Sequence, residues 1–319
     1  MKNIVIESRN IGIRQGSLKK VLSSMWKQRY LQLMVMPGII WMLIFNYIPM
    51  GGIVIAFKDF KITKSISAAP WVQFKHFIDF FQDDAFVNIM ANTLGISLLK
   101  LLIAFPLPIA FAILLNEIRK KRFRQFVQTV SYLPHFISWV VLGGIMITWL
   151  SDAGMINEVL TSFGIIKEPV VFLAKPQYFW GLTIISEVWK ELGWSAIIYV
   201  AAISGIDQQM FEAATVDGAS KVQKIKYITL PAIKGTIAIM FILAVANMLN
   251  SNFDQIFILK NVLNASKSQV VDTYVYEIGL RIGRYSYATA IGLFKSIIAM
   301  ILLLVANYTT KKLQGRSLY

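Results

Sequence analysis

Six long apolar runs alternate with polar, charged segments, at roughly 33–57, 94–115, 127–150, 181–203, 235–256 and 286–308. A helix needs about 20 mostly apolar residues to cross the hydrocarbon core of a bilayer. A backbone in lipid must satisfy its own hydrogen bonds, so each run predicts a spanning helix. Proline marks where these helices deviate. Pro37, Pro49 and the Gly51-Gly52 pair interrupt the first run and predict an end or a bend near Pro49. Pro106 and Pro108 predict a kink in the second. The expected fold is an all-α membrane protein: a tail over 1–30, a six-helix domain over 31–310, and a basic tail over 311–319.

The segments between the runs carry their own patterns. In 18–29, Leu18, Val21, Leu22, Met25 and Trp26 share a helical face flanked by Lys19, Lys20 and Lys27, which predicts a short helix on the membrane surface. The stretch "WVQFKHFIDFF" over 71–81 predicts an interfacial amphipathic helix. The loop over 204–234 contains "FEAATVDGASKVQKIKYITLPAI" at 211–233, which reads as two short helices and a hinge. Ala213 and Ala214 leave one face of the first helix open to close approach. Gly218 permits the positive φ of a sharp turn, Ser220 is placed to cap the second helix, and Pro231 opens the next span. The product is a rigid helical hairpin, shaped to enter a groove on another protein.

Composition strengthens the membrane reading. Of the 319 residues, 56% are hydrophobic and 15% charged, against about 25% charged in a typical soluble domain. The mean hydropathy is +0.59. The net charge of +15 divides unevenly between the two sides. The N-terminal tail, the 116–126 loop, the 204–234 loop and the C-terminal tail hold 19 Lys and Arg, while the three opposite loops hold 10. Basic residues collect on the cytoplasmic side, so both termini and the hairpin are expected there. The basicity then reflects topology and attraction to anionic lipid, and nucleic acid is not an expected partner. With no cysteine and two separated histidines, His76 and His135, no metal-ligand spacing or thiol chemistry is apparent. The first 30 residues lack the pattern of a cleavable signal peptide.

Ionisable residues inside spans are functional candidates or helix-to-helix ties. Lys100 lies near the outer end of the second run, within reach of the membrane surface. Glu187, Lys190 and Glu191 share a face of the fourth, where Lys190 can pair with either acid, and Lys295 lies in the sixth. In the fifth, Asn247, Asn250 and Asp254 fall on one helical face. Amides and carboxylates bind hydroxyls and aromatic faces offer stacking, which makes these three residues, with Trp189, Trp194 and Phe253, candidates for binding a hydroxyl-rich ligand. Helix interfaces explain the same residues equally well, and His135 reads as a satisfied packing residue.

"EAATVDGASKVQKIKYITLPAI" resembles the EAA motif of binding-protein-dependent ABC import permeases, with Glu212, Ala213, Ala214, Asp217, Gly218, Ala219, Ile228, Leu230 and Pro231 in place. "YLPHFISWVV" at 132–141, "SEVWKELGWSAIIYVAAISGID" at 186–207 and "DTYVYEIGL...YSYATAIGLFKS" at 272–296 are similar to a carbohydrate-permease subgroup handling oligosaccharides or complex sugar polymers. The resemblance covers roughly 25–315. It implies a multi-pass subunit in a bacterial cytoplasmic membrane, with the hairpin as a coupling helix docked in a cytoplasmic ATPase. Glu212 is implied as a polar contact at the ATPase edge and Gly218 as the turn. The implied partners are a second, non-identical permease subunit, two ATPase subunits carrying ATP and Mg, an extracytoplasmic solute-binding protein and an oligosaccharide. Many such permeases carry Gly-Gly-Pro soon after Phe-Asp in the fifth span; here "NVLNAS" stands there, so contacts at that loop do not transfer.

No Gly-x4-Gly-Lys-Ser/Thr loop is present, so the chain is not expected to hydrolyse ATP itself. An ion-driven secondary transporter would predict paired repeats with broken helices, and no internal repeat is visible. An intramembrane enzyme would need a catalytic cluster within the spans, and none stands out.

Overall fold

The computed structural model describes residues 26–314, save positions 64 and 251. The surface helix expected over 18–29 falls mainly outside these residues, as does Arg316 of the basic tail. Among the described residues the chain is helical without a strand, apart from one isolated antiparallel bridge between Lys58 and Trp71. It divides into two compact units, Met1–Val54 and Ile55–Tyr319.

Among the described residues four helices are long and apolar enough to cross a bilayer: Arg29–Phe57, Phe86–Asn116, Lys221–Ala246 and Tyr285–Lys312. The predicted third span is broken. Lys121–Phe136 and Trp139–Trp149 meet at 95°, because Ile137 and Ser138 are extended and Ser138 caps the second piece by accepting from the Val141 N–H at 3.3 Å. The predicted fourth span is one helix, Pro176–Ser204, whose 29 residues suffice in length. Glu187, Lys190 and Glu191 make it less apolar than the other four. The predicted fifth span does not reach residue 256. Its helix stops at Ala246, and Phe253–Leu259 is a separate short helix. Asparagine side chains compete for backbone groups there: the Asn247 amide donates to the Leu243 carbonyl at 3.0 Å.

The prolines act through a shared device. Pro49, Pro106 and Pro231 each follow a π-helical turn, at Leu43–Tyr47, Lys100–Ala104 and Ile225–Thr229. Proline has no N–H for the carbonyl four residues back, and its ring collides with that carbonyl. Widening the preceding turn relieves the clash, and the helix continues. The first span therefore does not end at Pro49; it tightens into a 3-10 helix over Gly51–Phe57. Pro231 does not open a span either, since helix 221–246 begins ten residues earlier.

Within the larger unit the apolar side chains form separate clusters. At the hairpin end, Ala112, Ala196, Tyr199, Ile203, Ile206 and Ile233 join helices 86–116, 176–204 and 221–246. At the opposite end, Ile96, Phe179, Ile184, Ile256 and Leu259 join the first two of these to the short helix 253–259. Another cluster there sets Phe80 and Ile89 against Tyr287 and Ile291 of the last helix. Phe80 is 1% exposed, so the "WVQFKHFIDFF" segment, helical over Lys75–Phe81, packs one face on protein instead of lying wholly in the interface.

Polar side chains close the loops at that end. Asn264 is fully buried; its amide donates to the carbonyls of Leu173 and Leu259 at 2.9 and 3.0 Å, and its oxygen accepts from Ser268 at 2.7 Å. Asn264→Leu strands these buried groups and is expected to cost about 1–3 kcal/mol, read as a lower thermal midpoint in detergent. Burial of Asp83 raises its pKa, but hydrogen bonds from Tyr274, the Ala85 N–H and Tyr287, with the nearby Arg284 charge, outweigh burial and hold it below the usual carboxylate value. A depressed folded-state pKa contributes stability above the unfolded value and loses it as pH falls through the folded one. Asp83→Asn is accordingly expected to lower the thermal midpoint at neutral pH and to flatten its fall on acidification.

Candidate functional site

The hairpin has the expected turn. Asp207 caps helix Gln208–Val216 by accepting from the Gln209 N–H at 2.9 Å. After that helix Gly218 takes φ +73°. The Ala219 N–H returns to the Ala214 carbonyl at 2.8 Å and the Gly218 N–H to Thr215 at 3.1 Å, the paired bonds of a helix-ending Schellman turn. Ser220 then caps the next helix in a reciprocal box with Gln223. Lys224 Nζ donates to Thr215 Oγ across the hairpin at 2.7 Å, and Lys221 approaches Glu117 at 3.6 Å.

The hairpin surface is open. Glu212, Ala213, Asp217 and Gly218 are exposed, Ala214 and Ala219 half-buried, and Val216 stands 88% exposed at the tip. Glu212 has no ion pair among the described residues.

Above the hairpin lies a cavity of about 420 Å³, walled by helices 86–116, 176–204 and 221–246 and the chain just beyond Ala246. Lys100, Glu187, Glu191, Tyr199, Asn247 and Asn250 are among its lining residues. Lys100 sits near the midpoint of helix 86–116, about 21 Å along it from Phe86. It does not reach for a membrane surface; it pairs with Glu187 across the cavity. The pairing of Lys190 with Glu187 on one helix face is thereby replaced.

Lys190 instead serves the break in the third span. Its ammonium donates to the His135 carbonyl at 2.7 Å and to Glu191 at 2.9 Å, and lies 5.5 Å from the Trp139 ring centre. A cation is favoured where helix 121–136 leaves carbonyls unpaired. His135 Nδ1 meets Glu191 at 2.7 Å, and its ring stacks flat on Trp194 at 4.2 Å. His135 is thus a satisfied packing residue. Lys295 is likewise paired, with Asp272.

Of the six residues singled out for ligand contact, the fold brings Asn247 and Asn250 to the cavity. Trp189 is exposed and outside the lining; Trp194 has one face covered by His135. Phe253 stacks on Phe257 at 5.2 Å and meets Tyr276 edge-on at 5.4 Å. The shared face of Asn247, Asn250 and Asp254 does not form, because the helix carrying it breaks; Asp254 is exposed on helix 253–259. Gln255 was not apparent from sequence. It is 1% exposed and donates to the Thr183 carbonyl and Ser186 Oγ at 2.8 and 2.9 Å. A polar residue after a Phe-Asp pair gave no signal of this tie.

An exposed hairpin below a mostly apolar cavity that carries a few charged and amide side chains is the arrangement expected of a transport subunit. The model of the family described as "Binding-protein-dependent transport system inner membrane component" matches residues 104–315, and the chain belongs to that family. It is 43% identical over 302 residues to the Bacillus subtilis polygalacturonan/rhamnogalacturonan transport system permease protein YteP, covering 94% of each chain. Protein LplB of the same organism is 40% identical, with 93% of each covered. A bacterial ABC transporter involved in the import of the acidic polysaccharide alginate has a chain 38% identical at a TM-score of 0.86, covering 92% of this chain and 99% of that one. An alginate ABC transporter in complex with an alginate pentasaccharide-bound periplasmic protein aligns at a TM-score of 0.87, 37% identity, covering 94% of this chain and all of that one. The ion-coupled alternative gains nothing from these relatives.

Proposed function

We propose that this chain is one of two membrane-spanning subunits of an ATP-driven importer. It passes an oligosaccharide or polysaccharide fragment from an extracytoplasmic solute-binding protein into the cytoplasm. One observation carries the reading. The two helices that hold the hairpin, 176–204 and 221–246, are two of the three that wall the cavity, at Glu187–Tyr199 and Met240–Ala244. The second has 26 residues and a length of roughly 39 Å, so a push on the hairpin acts as a lever on the cavity.

The hairpin residues Glu212, Ala213, Ala214, Asp217, Gly218 and Ala219 form the knob that enters an ATPase subunit. ATP and Mg belong to two such subunits, and their closing drives the lever. The excess of basic residues supports placing the hairpin and both termini in the cytoplasm. The four apolar helices, the bent pair and helix 176–204 make up six crossings. Within the cavity Asn247 and Asn250 offer amides to sugar hydroxyls. The names of the relatives support a saccharide, and polygalacturonan and alginate are both polymers of uronic acids, which favours one bearing carboxylates.

Gentle detergent purification of the tagged chain, followed by mass spectrometry, tests the reading. Recovery of an ATPase and a second, related membrane subunit is the expected result. A chain that purifies alone or only as its own dimer defeats it. Alanine at both Asn247 and Asn250 is expected to lower saccharide uptake more than recovery of the ATPase.

A further inference from the structure

Among the described residues, Lys100 is the sole lysine or arginine lining the cavity. Its ammonium is paired with Glu187, and the two side chains are 16% and 19% exposed. The other lining acid, Glu191, is already engaged by Lys190 and His135. Lys190 is itself 5% exposed and committed to the His135 carbonyl. The resting cavity is therefore balanced in charge, and Lys100 with Glu187 is the ion pair whose two members both face the open space.

A buried ion pair is a poor way to hold two helices together, since apolar side chains of similar volume do so at lower desolvation cost. This pair also lies beside the amides of Asn247 and Asn250, in a space that accommodates a ligand. Its cation is aimed by a special piece of backbone. Lys100 opens the π turn set by Pro106, and the Phe105 N–H bonds to the Lys100 carbonyl at 3.1 Å. Such turns insert a residue and redirect the side chains around them, and they recur at functional positions.

We propose that Lys100 and Glu187 form an ion-exchange gate that selects carboxylate-bearing saccharides. A sugar carboxylate replaces Glu187 on Lys100 as it enters. The displaced Glu187 turns to cavity water and the asparagine amides, then reclaims Lys100 as the sugar leaves. A neutral sugar has no group that displaces Glu187. A lysine without its internal counter-ion would hold an anion too firmly to release it. The inference rests on the saccharide-permease reading above.

The test uses the importer assembled with its partner subunits and binding protein in proteoliposomes. The probes are oligosaccharides released from polygalacturonan and alginate, mixed with their carboxyl-reduced neutral counterparts, and uptake is read by mass spectrometry. Wild type is expected to prefer the acidic forms. A charge-assisted hydrogen bond is worth enough that Lys100→Gln should lower that preference roughly tenfold, while Lys100→Arg retains it. Glu187→Gln should hold acidic saccharide more tightly and turn over more slowly. The double variant Lys100→Gln/Glu187→Gln removes both charges together, so it assembles without a stranded ion and should lack the preference; co-purified ATPase reports assembly. An assembled Lys100→Gln or double variant with the wild-type preference overturns the gate and leaves the permease reading intact. So does a wild type that imports neutral forms as well as acidic ones. A wild type that carries none of the probes overturns the gate, and the permease reading falls with it only if no ATPase co-purifies.

Discussion

Gly193→Val is expected to prevent the chain from reaching a stable fold. A Cβ built on Gly193 would lie 2.1 Å from the Ser131 carbonyl oxygen and 2.8 Å from the Ser131 Cβ. The first neighbour is backbone, so no side-chain rotation relieves the clash, and helix 176–204 must move away from helix 121–136. Overpacking of this kind typically costs about 1–3 kcal/mol, and more where backbone cannot give way. The shift would also pull Lys190 from the His135 carbonyl and His135 from Trp194, which hold the 95° bend. Size-exclusion chromatography of the tagged chain in mild detergent checks this. Gly181→Val on the same helix, where nothing lies within 4 Å of the added Cβ, should elute as wild type does. Equal behaviour of the two variants would show that the close approach of these helices is dispensable.

Gly218→Val is expected to leave the fold intact and disconnect it from its motor. No atom lies within 4 Å of a Cβ added there, so its cost is backbone strain at φ +73°. A left-handed conformation costs a non-glycine residue about 1–2 kcal/mol, and a β-branched one is the worst suited to it. The turn would open, losing the return bonds to Ala214 and Thr215 and misaligning the tip. A free-energy change of that size is roughly a tenfold change in docking. In the assembled importer, ATP hydrolysis stimulated by the loaded binding protein should fall by that factor or more, with membrane insertion unchanged. Gly218→Asn should retain most of it, because asparagine tolerates the left-handed region. Glu212→Ala should act in the same direction as Gly218→Val through a lost contact. Normal stimulated hydrolysis in Gly218→Val would separate the hairpin from coupling.

The hairpin was readable because its determinants are local. Gly218 meets its turn partners within four residues, and Ser220 meets Gln223 three residues on. The cavity was half readable. Asn247 and Asn250 stand out as amides in an apolar run, whereas placing Asp254 on their face requires an unbroken helix. That helix ends at Ala246, where the Asn247 amide turns back onto the Leu243 carbonyl. Lys100 and Glu187 were each visible as intramembrane charges, but 87 positions separate them, and nothing local predicts their meeting.

By itself the sequence determined the membrane class, the helical fold, the position of most helices and the form of the hairpin. Each follows from side-chain hydrophobicity or from hydrogen bonds within a few residues. Only the tertiary structure decided how a span breaks and which charges pair. The bend at Ile137 and Ser138 persists because Lys190, on another helix, supplies the cation that its loose carbonyls need. The π turns let Pro106 and Pro231 remain inside continuous helices. A charge in lipid must find a partner, and which partner is nearest depends on how helices distant in sequence are packed.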